Sequence, residues 1–176
     1  MKVQILEISW HNRDPVLSVD FQPKVDGSDK PLRLASSGSG LYLCHSLIFS
    51  AFIAHLLDSH VLIWYVTYED GMTNLELAAD LTRHQRAVNC VRWSPSGEYL
   101  ASCDDESVIF VWRKKPESEA SLFDDVSECD KEVWLTHKIL RGHMEDVYDL
   151  SWSSDSQFLI SGSVDNTAMV WDIEKG

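Results

Sequence analysis

Ser161, His143 and Asp165 are residue types that together can activate a serine hydroxyl for nucleophilic attack. In such a triad the imidazole takes the serine proton and the carboxylate orients the imidazole. The pair recurs, however, because His84 and Ser102 have the same separation of 18 residues. An enzyme rarely builds equivalent triads in one domain, whereas a structural group must recur in every repeated unit. We therefore predict no catalytic residue in this chain.

The recurrence belongs to an internal repeat in the second half of the chain. Residues 142–172, GHMEDVYDLSWSSDSQFLISGSVDNTAMVWD, align without a gap with residues 83–113, RHQRAVNCVRWSPSGEYLASCDDESVIFVWR. In both segments Trp residues follow the His at distances of 9 and 28 residues. Aromatic and β-branched residues recur with a period near two between turn residues such as Ser-Pro-Ser-Gly. This pattern predicts a small antiparallel sheet in each unit.

These units resemble the WD-repeat family of β-propellers, in which Gly-His opens a unit and Trp-Asp closes it. Residues 142–143 and 171–172 match the full signature, and residues 83–84 and 112–113 match half of it. The resemblance implies an all-β propeller with a buried tetrad of His, Ser, Asp and Trp in each blade. It assigns His143, Ser161, Asp165 and Trp171 to one tetrad, and His84, Ser102, Glu106 and Trp112 to the other, with Glu106 in the place of the Asp.

A stretched copy of the unit precedes these two. Its tetrad is predicted to be His11, Ser36, Asp58 and Trp64, but 53 residues separate His11 from Trp64. Removing residues 40–57, which carry no Asp, Glu, Lys or Arg, aligns this copy with the last one without a gap across the turn. The segment therefore falls between the second and third strands of the first blade.

Three interpretations of residues 40–57 compete. A transmembrane helix needs about 20 apolar residues, and it would leave strands of one blade on opposite sides of a bilayer, which disfavours it. A functional binding loop remains open, although long loops are usually polar and exposed apolar ones promote aggregation. Translated non-coding sequence or an alternative splice product is the favoured hypothesis, because excision restores the repeat in frame.

The repeat divides the chain into four parts. Residues 1–9 are predicted to form a strand that closes the last blade of a propeller. Residues 10–82, 83–140 and 141–176 are predicted to be repeats one, two and three, the last without its fourth strand. Since propeller rings typically take about four to eight blades, we expect an incomplete propeller of three blades.

Loop position predicts the face on which each loop lies, because the chain reverses direction at every connection. The loop of residues 22–33, a loop over residues 65–74 and the segment of residues 114–132 should share one face. The last of these carries seven acidic residues against three lysines. Such a segment either is solvated or contacts a basic partner.

The composition argues against several kinds of site. There are 28 acidic and 15 basic residues, a net charge of −13, which argues against electrostatic binding to nucleic acid or anionic lipid and favours a basic partner. The four cysteines form no Cys-x-x-Cys pair and have no His at ligand spacing, so no zinc site and no disulfide framework are predicted. No phosphate-binding Gly-rich loop is present, and we predict no cofactor and no metal.

The amino-acid sequences of the repeats resemble those of the middle, WD-repeat subunits of the chromatin assembly factor one family. The resemblance is carried by WHNRDPV, HQRAVNCVRWSPSGEYLAS, LRGHMEDVYDLSW and SVDNTAMVWD. It implies a nuclear, non-catalytic chaperone subunit that joins a large and a small subunit and deposits histones three and four on newly replicated DNA, without direct contact with nucleic acid or membrane. Hira-type chaperones, which act independently of replication, are the near alternative, and a generic WD-repeat scaffold is the alternative from another class.

Four carboxylates are predicted to contact the basic partner. Asp104 and Asp105 lie in the second loop of repeat two, and Glu145 and Asp146 lie beside the connection into repeat three. Loop position places all four on one face. Acidic groups there would compete with DNA for basic histones. The alternative is that they are ordinary surface carboxylates.

Overall fold

The computed structural model describes residues 15–24, 31–38, 59–69, 71–116 and 131–175. Within them, β-strands form three antiparallel sheets, which we call blades one, two and three. Blade one contains β1 (Val16–Phe21), β2 (Leu32–Gly38), β3 (Val61–Glu69) and β4 (Met72–Leu81). Blade two contains β5 (Val88–Trp93), β6 (Tyr99–Asp104), β7 (Val108–Lys114) and β8 (Trp134–Arg141). Blade three contains β9 (Val147–Trp152), β10 (Phe158–Ser163) and β11 (Ala168–Asp172). The prediction of an all-β fold built from propeller blades is confirmed.

The burial pattern of each strand reflects how many neighbours its blade has. In β7 the five residues from Val108 to Trp112 are all buried, because blade two has a blade on each face. In β10 exposed and buried residues alternate from Phe158 to Ser161, because blade three packs on one neighbour. The sequence of β7 is accordingly an apolar run, VIFVW, as expected for a strand covered on both faces.

Two apolar cores lie between the blades. The core between blades one and two includes Ile63, Val91 and Leu100, each with no exposed surface. The core between blades two and three includes Ile109 and Leu159, which are also fully buried. Packing therefore runs from each blade to its sequence neighbour.

The strand register is the same in the three blades. Leu34, Leu100 and Leu159 each lie opposite a tryptophan of the next strand, Trp64, Trp112 and Trp171 respectively. In blade one this pairing holds although β2 ends at Gly38 and β3 begins at Val61. The additional segment thus falls wholly within the β2–β3 connection. Residues 40–57 themselves lie outside the described residues, as do residues 1–9.

The prediction of a loop over residues 65–74 is wrong. Strand β3 continues to Glu69 and pairs with β4 from Glu69↔Met72 onwards. A tight turn replaces the loop, and Gly71 has the left-handed φ of 79° that glycine adopts without steric cost. The β-branched and aromatic residues of VLIWYVTYE favour extended backbone throughout β3.

Candidate partner-binding site

Blades two and three each contain a continuous chain of side-chain hydrogen bonds. In blade three, Trp171 Nε1 donates to Ser161 Oγ over 2.8 Å, and that Oγ lies 2.7 Å from His143 Nε2. His143 Nδ1 lies 2.9 Å from Asp165 Oδ2. A carboxylate can only accept, so Nδ1 carries a proton, and in the neutral form of the imidazole Nε2 then accepts from the serine hydroxyl. The bonds therefore run in one direction, from Trp to Ser to His to Asp.

In blade two the carboxylate of this chain is Asp104, and the assignment of Glu106 to the tetrad is wrong. His84 Nδ1 lies 2.7 Å from Asp104 Oδ2, and His84 Nε2 lies 2.7 Å from Ser102 Oγ. Trp112 Nε1 donates to Ser102 Oγ over 2.8 Å. Glu106 instead pairs with Arg86 at 3.1 Å, with more than two fifths of both side chains exposed.

The turn between β6 and β7 explains why Asp104, and not Glu106, supplies the carboxylate of this tetrad. Asp104 ends β6, and its second oxygen accepts hydrogen bonds from the backbone N–H groups of Glu106 and Val108. The short Asp side chain therefore serves the imidazole and closes the turn at once, as Asx turns do. Because Asp104 is buried with 2 % of its surface exposed, its prediction as a partner contact is also wrong.

In blade one the described residues contain half of the predicted tetrad. Trp64 Nε1 donates to Ser36 Oγ over 2.8 Å, and both residues are fully buried. His11 and Asp58 lie outside the described residues.

These groups are closed to a substrate. Ser102 and Ser161 have 0 % and 1 % of their surface exposed, and each serine oxygen already accepts a tryptophan N–H. A nucleophile must reach the reacting atom at close range, which neither oxygen can do. The hydrogen bonds of these side chains therefore join strands within a blade.

Asp165 shows how strongly the tetrad holds its carboxylate. Hydrogen bonds from Thr167, from the Met144 N–H and from His143 keep the pKa of Asp165 below its usual range. The Met144 N–H belongs to the segment that enters blade three. The same carboxylate thus holds both the β10–β11 turn and the entry segment.

A notch with acidic walls lies between blades two and three, at the end of the strands where the β6–β7 turn emerges. The β6–β7 turn contributes Asp105 and Glu106, and the entry into β9 contributes Glu145 and Asp146. The cavity has a volume of about 450 Å³, and Met144 beside it is 90 % exposed. Three of the four carboxylates predicted to contact a partner therefore lie together, joined by Glu106.

Hydrogen bonds from side chains and from the backbone fix the two walls of this acidic notch. Asn89 Nδ2 donates to Asp105 Oδ1 over 2.7 Å and to the Val147 carbonyl over 3.0 Å, which links the two blades. The carbonyl of Glu145 accepts from Ser163 Oγ, and that of Asp146 accepts from the Val164 N–H. The carboxylates thus stand on rigid turns, and such preorganisation lowers the entropy cost of binding.

Sequence reasoning missed a buried ion cluster between blades one and two. Arg33 of β2 binds both carboxylate oxygens of Glu132, at 3.0 Å from Nε and 2.5 Å from Nη2. Lys114 Nζ lies 2.7 Å from the same carboxylate, and Trp134 Nε1 donates to it over 3.1 Å. Glu132 belongs to the segment that is expected either to be solvated or to contact a basic partner, but it is 4 % exposed. The available signal was its place two residues before the aromatic start of β8.

The cluster shifts the pKa values of its members. Burial raises the pKa of Glu132, but the hydrogen bonds from Arg33 and Lys114 outweigh it and lower that pKa to about 2. Burial and the nearby Glu132 carboxylate together raise the pKa of Tyr65 to about 12. The Arg33–Glu132 pair therefore stays ionised at neutral pH.

Two other kinds of site are absent from the described part of the chain. No group of three or more His, Cys, Asp or Glu side chains in it has a geometry that could hold a metal ion. The described residues contain no helix that is long and apolar enough to cross a membrane.

Comparison with known proteins places this fold in a family. A family model described as the CAF1B/HIR1 beta-propeller domain matches residues 1–176. A relative from Gallus gallus, named as a subunit of chromatin assembly factor 1, is 44 % identical over 181 aligned positions, which cover 100 % of this chain and 28 % of the relative. The Mus musculus protein of the same name is 41 % identical with the same coverage.

A relative with a second name has nearly the same identity. Protein HIRA of Oryza sativa subsp. japonica is 43 % identical over 175 positions, which cover 96 % of this chain and 16 % of the relative. This chain spans about 28 % of the length of the chicken and mouse relatives. The blades, their tetrads and the match over all 176 residues lead to one conclusion: the chain belongs to the CAF1B/HIR1 β-propeller domain family.

Proposed function

We propose that this chain is a non-catalytic, histone-binding WD-repeat part of a chromatin assembly factor 1 subunit that acts in replication-coupled nucleosome assembly in the nucleus. The observation that carries the proposal is the acidic notch between blades two and three. Family membership supplies the biological context, because the chicken and mouse relatives are named as subunits of chromatin assembly factor 1. Its partners are then histones three and four and the large and small subunits of that complex.

The acidic notch suits a basic side chain of an unfolded or helical segment. Four acidic residues line a cavity of about 450 Å³, with no Lys or Arg among the described residues that line it, although Arg86 beside it pairs with Glu106. Met144 adds an exposed, flexible apolar surface at the rim, a residue type that adapts to varied partners. Lysine and arginine side chains combine a cation with an apolar stem, which matches this combination of acid and thioether.

The proposed role of such a site is to exchange histones with DNA and not to catalyse a reaction. Histones bind DNA through many cation–phosphate contacts, so an acidic protein surface competes with DNA for the same cations. A chaperone needs fast association at moderate affinity, and electrostatic contacts raise the association rate more than the affinity. The buried, hydrogen-bonded serines of the tetrads support the absence of catalysis in this role.

A replication-independent chaperone of the HIRA type is the second candidate. The rice relative named HIRA is 43 % identical over 175 positions, against 44 % over 181 for the chicken relative. Both candidates bind the same basic cargo, so the acidic notch does not separate them. Co-purification from cells with the large subunit of chromatin assembly factor 1 supports the first candidate, and co-purification with HIRA partners alone supports the second.

The test of histone binding uses two charge-matched double variants of the chain. Glu145→Gln with Asp146→Asn removes two acidic side chains from the notch, where the backbone groups of these residues hold the turn. Glu76→Gln with Glu174→Gln removes two charges elsewhere. Binding of a labelled complex of histones three and four is measured by fluorescence anisotropy at about 0.15 M salt, where charges more than about 8 Å apart are largely screened.

We expect the notch variant to lower the affinity about tenfold, which corresponds to a loss of about 1.4 kcal/mol, and the control variant to lower it less than twofold. Equal losses in the two variants would show that net charge alone binds histones. No histone binding by the unaltered chain would reject the chaperone role in favour of a generic scaffold.

A further inference from the structure

Two cysteines lie side by side at the junction of blades two and three. Cys90 of β5 is the register partner of Cys103 of β6. Both are free thiols, and both belong to the apolar core between blades two and three. Residues directly opposite each other in an antiparallel pair project to the same face of the sheet. The two thiols are therefore neighbours on the face that packs against blade three.

The strand register gives this thiol pair the separation that a disulfide needs. The Cα atoms of directly opposite residues in antiparallel strands are about 4.5 to 5.5 Å apart. The Cα atoms of disulfide-bonded cysteines are about 4.4 to 6.8 Å apart. Because the first range lies within the second, a bond between Cys90 Sγ and Cys103 Sγ requires no change of strand register.

Both thiols also contact strand β9 of blade three. Cys90 Sγ lies 3.6 Å from Asp149 Oδ1, and Cys103 Sγ donates to the Val147 carbonyl over 3.2 Å. The Asp149 carboxylate in turn pairs with Arg92 at 3.3 Å, and the Asp149 side chain is 75 % exposed. Cys90 is itself buried, but it lies directly beneath this exposed carboxylate. Movement of one surface side chain therefore gives a small molecule access to Cys90 Sγ.

The two thiols differ in how readily they ionise. A hydrogen bond from Cys103 and the charge of Arg92 lower the pKa of the Cys90 thiol, against the opposing effect of burial. The hydrogen bond to Cys90 and burial raise the pKa of the Cys103 thiol. Because the thiolate is the nucleophile in thiol oxidation, Cys90 is the sulfur that reacts first, and Cys103 is the neighbour that completes the disulfide.

We propose that Cys90 and Cys103 form a redox-sensitive dithiol, which hydrogen peroxide converts to a reversible disulfide. The Cys90 thiolate attacks one peroxide oxygen, the O–O bond breaks, and the departing hydroxide takes the proton that Cys90 released, which leaves a sulfenic acid on Cys90. The Cys103 sulfur then attacks the Cys90 sulfur, the S–O bond breaks, and the hydroxide leaves as water with the proton of Cys103. The two thiols lose two electrons, and the peroxide is reduced to two water molecules.

The disulfide changes the junction of blades two and three. It has no S–H group, so Cys103 no longer donates to Val147 and Cys90 no longer donates to Asp149. The Val147 carbonyl keeps its hydrogen bond from Asn89, so the junction is loosened and not broken. This inference goes beyond the proposed histone binding, because the thiol pair lies outside the acidic notch and its test needs no histone.

Peptide mapping of the whole, folded chain tests the disulfide. After treatment with hydrogen peroxide and blocking of the remaining thiols, trypsin cleaves after Arg92, which places the two cysteines on separate peptides, residues 87–92 and 93–113. We expect these peptides to be linked at least about tenfold more than either is linked to Cys44 or Cys129, because the register holds the pair together. Dithiothreitol should remove the link. Equal links to Cys44 or Cys129, or a link that forms only in the urea-unfolded chain, would overturn the proposal.

Single variants separate the roles of the two thiols. In Cys103→Ser we expect the sulfenic acid of Cys90 to accumulate and to be trapped by dimedone. In Cys90→Ser we expect at least about tenfold less trapping at Cys103, whose thiol is the less ionised of the two. Circular dichroism checks that both variants fold, and equal trapping in the two would contradict a nucleophilic Cys90.

A gain-of-rate variant keeps the test independent of any loss of folding. The Asp149 carboxylate opposes ionisation of Cys90, so Asp149→Asn is expected to raise the rate of disulfide formation about two- to threefold. Asp155→Asn is the matched control in the β9–β10 turn, where the carboxylate accepts from Ser153 and Gln157. The control should change the rate less than about 1.5-fold, since salt screens exposed charges. Equal rates in the two variants would contradict a reaction through the Cys90 thiolate.

Hydrogen exchange tests the consequence for blade three. We expect the amides of β9 (Val147–Trp152) to exchange faster in the oxidised chain than in the reduced chain, and to recover after dithiothreitol. Strand β2 (Leu32–Gly38) of blade one is the internal reference and should not change. Unchanged exchange in β9, or an equal increase in both strands, would overturn the proposed switch.

Discussion

Arg33 and Glu132 form a two-pronged ion pair across the interface of blades one and two, although 99 residues separate them in the sequence. Their side chains are 6 % and 1 % exposed. Charges taken out of water in this way are tolerated when the geometry is good and the remaining polar atoms are satisfied. Gln22, Lys114 and Trp134 provide those additional hydrogen bonds.

Glu132→Gln is expected to destabilise the chain by about 3 kcal/mol, because it leaves the buried Arg33 cation without its counter-charge. The free energy of unfolding is measured by urea denaturation at pH 7. Glu76→Gln is the control, since Glu76 forms an exposed pair with Lys131, and exposed pairs contribute less than about 1 kcal/mol. A loss of similar size in the two variants would show that the burial of the pair has no energetic consequence.

The same pair predicts a direction for the effect of pH. The pKa of Glu132 is lowered to about 2 in the folded chain, so its stabilisation is present above the unfolded pKa near 4.5 and is lost as the pH falls from there towards 2. The chain with Glu132 should therefore lose more stability between about pH 5 and pH 2.5 than Glu132→Gln does. Parallel curves for the two proteins over this range would contradict the assignment.

Asp104→Ala is expected to cost about 2 to 3 kcal/mol, because it unpairs the buried His84 and two backbone N–H groups of the β6–β7 turn. Glu106→Ala is expected to change the free energy of unfolding by less than about 0.5 kcal/mol, since its partner Arg86 is exposed. Thermal or urea denaturation of both variants separates the two assignments. The reverse order would restore Glu106 as the tetrad carboxylate.

Ser161→Ala is expected to lower the free energy of unfolding by about 1 to 3 kcal/mol, because Trp171 Nε1 and His143 Nε2 lose a buried partner. Histone affinity, measured below the unfolding transition, should stay unchanged. A loss of binding with no loss of stability would instead indicate that Ser161 takes part in function directly. Ser102→Ala in blade two provides an independent repeat of the measurement.

Gly142→Ala is expected to destabilise the chain by about 1 to 3 kcal/mol through overpacking. A Cβ at this position would lie 2.9 Å from the Trp171 ring and 3.2 Å from the Met169 sulfur, so the tetrad tryptophan must move. Gly162→Ala is the matched control, because nothing lies within 4 Å of its Cβ. The control should be neutral or slightly stabilising, since alanine restricts the unfolded chain, and an equal loss in both variants would refute the steric explanation.

Sequence reasoning recovered what depends on spacing. The Ser–Trp pairs of blades two and three follow from the gap-free alignment, because equal spacing in a strand pair produces equal register. The pair of blade one follows once residues 40–57 are removed from the alignment. It failed for Asp104, since an alignment column gives a position but not the reach of a side chain. The Asp of blade three lies in the turn itself, whereas blade two uses the last residue of β6.

Contacts between blades could not be predicted from the sequence, for a different reason. The partner of Glu132 lies in another repeat, and the periodic pattern describes each repeat by itself. A count of charges treated residues 114–132 as one acidic segment, although Lys114 and Glu132 at its two ends bind each other. The acidic notch was foreseen in part, because loop position alone places Asp105, Glu145 and Asp146 on one face.

The two junctions between blades are made of different chemistry. A buried ionised cluster contributes to the junction of blades one and two. At the junction of blades two and three the buried contacts are neutral donors to backbone carbonyls, such as Asn89 and Cys103 to Val147 and Trp152 to Arg92, and the Arg92–Asp149 ion pair there is exposed. Protonation of Glu132 therefore removes an interaction from the first junction, where the apolar core remains. We expect the junction of blades one and two to weaken before that of blades two and three as the pH falls from about 5 towards 2.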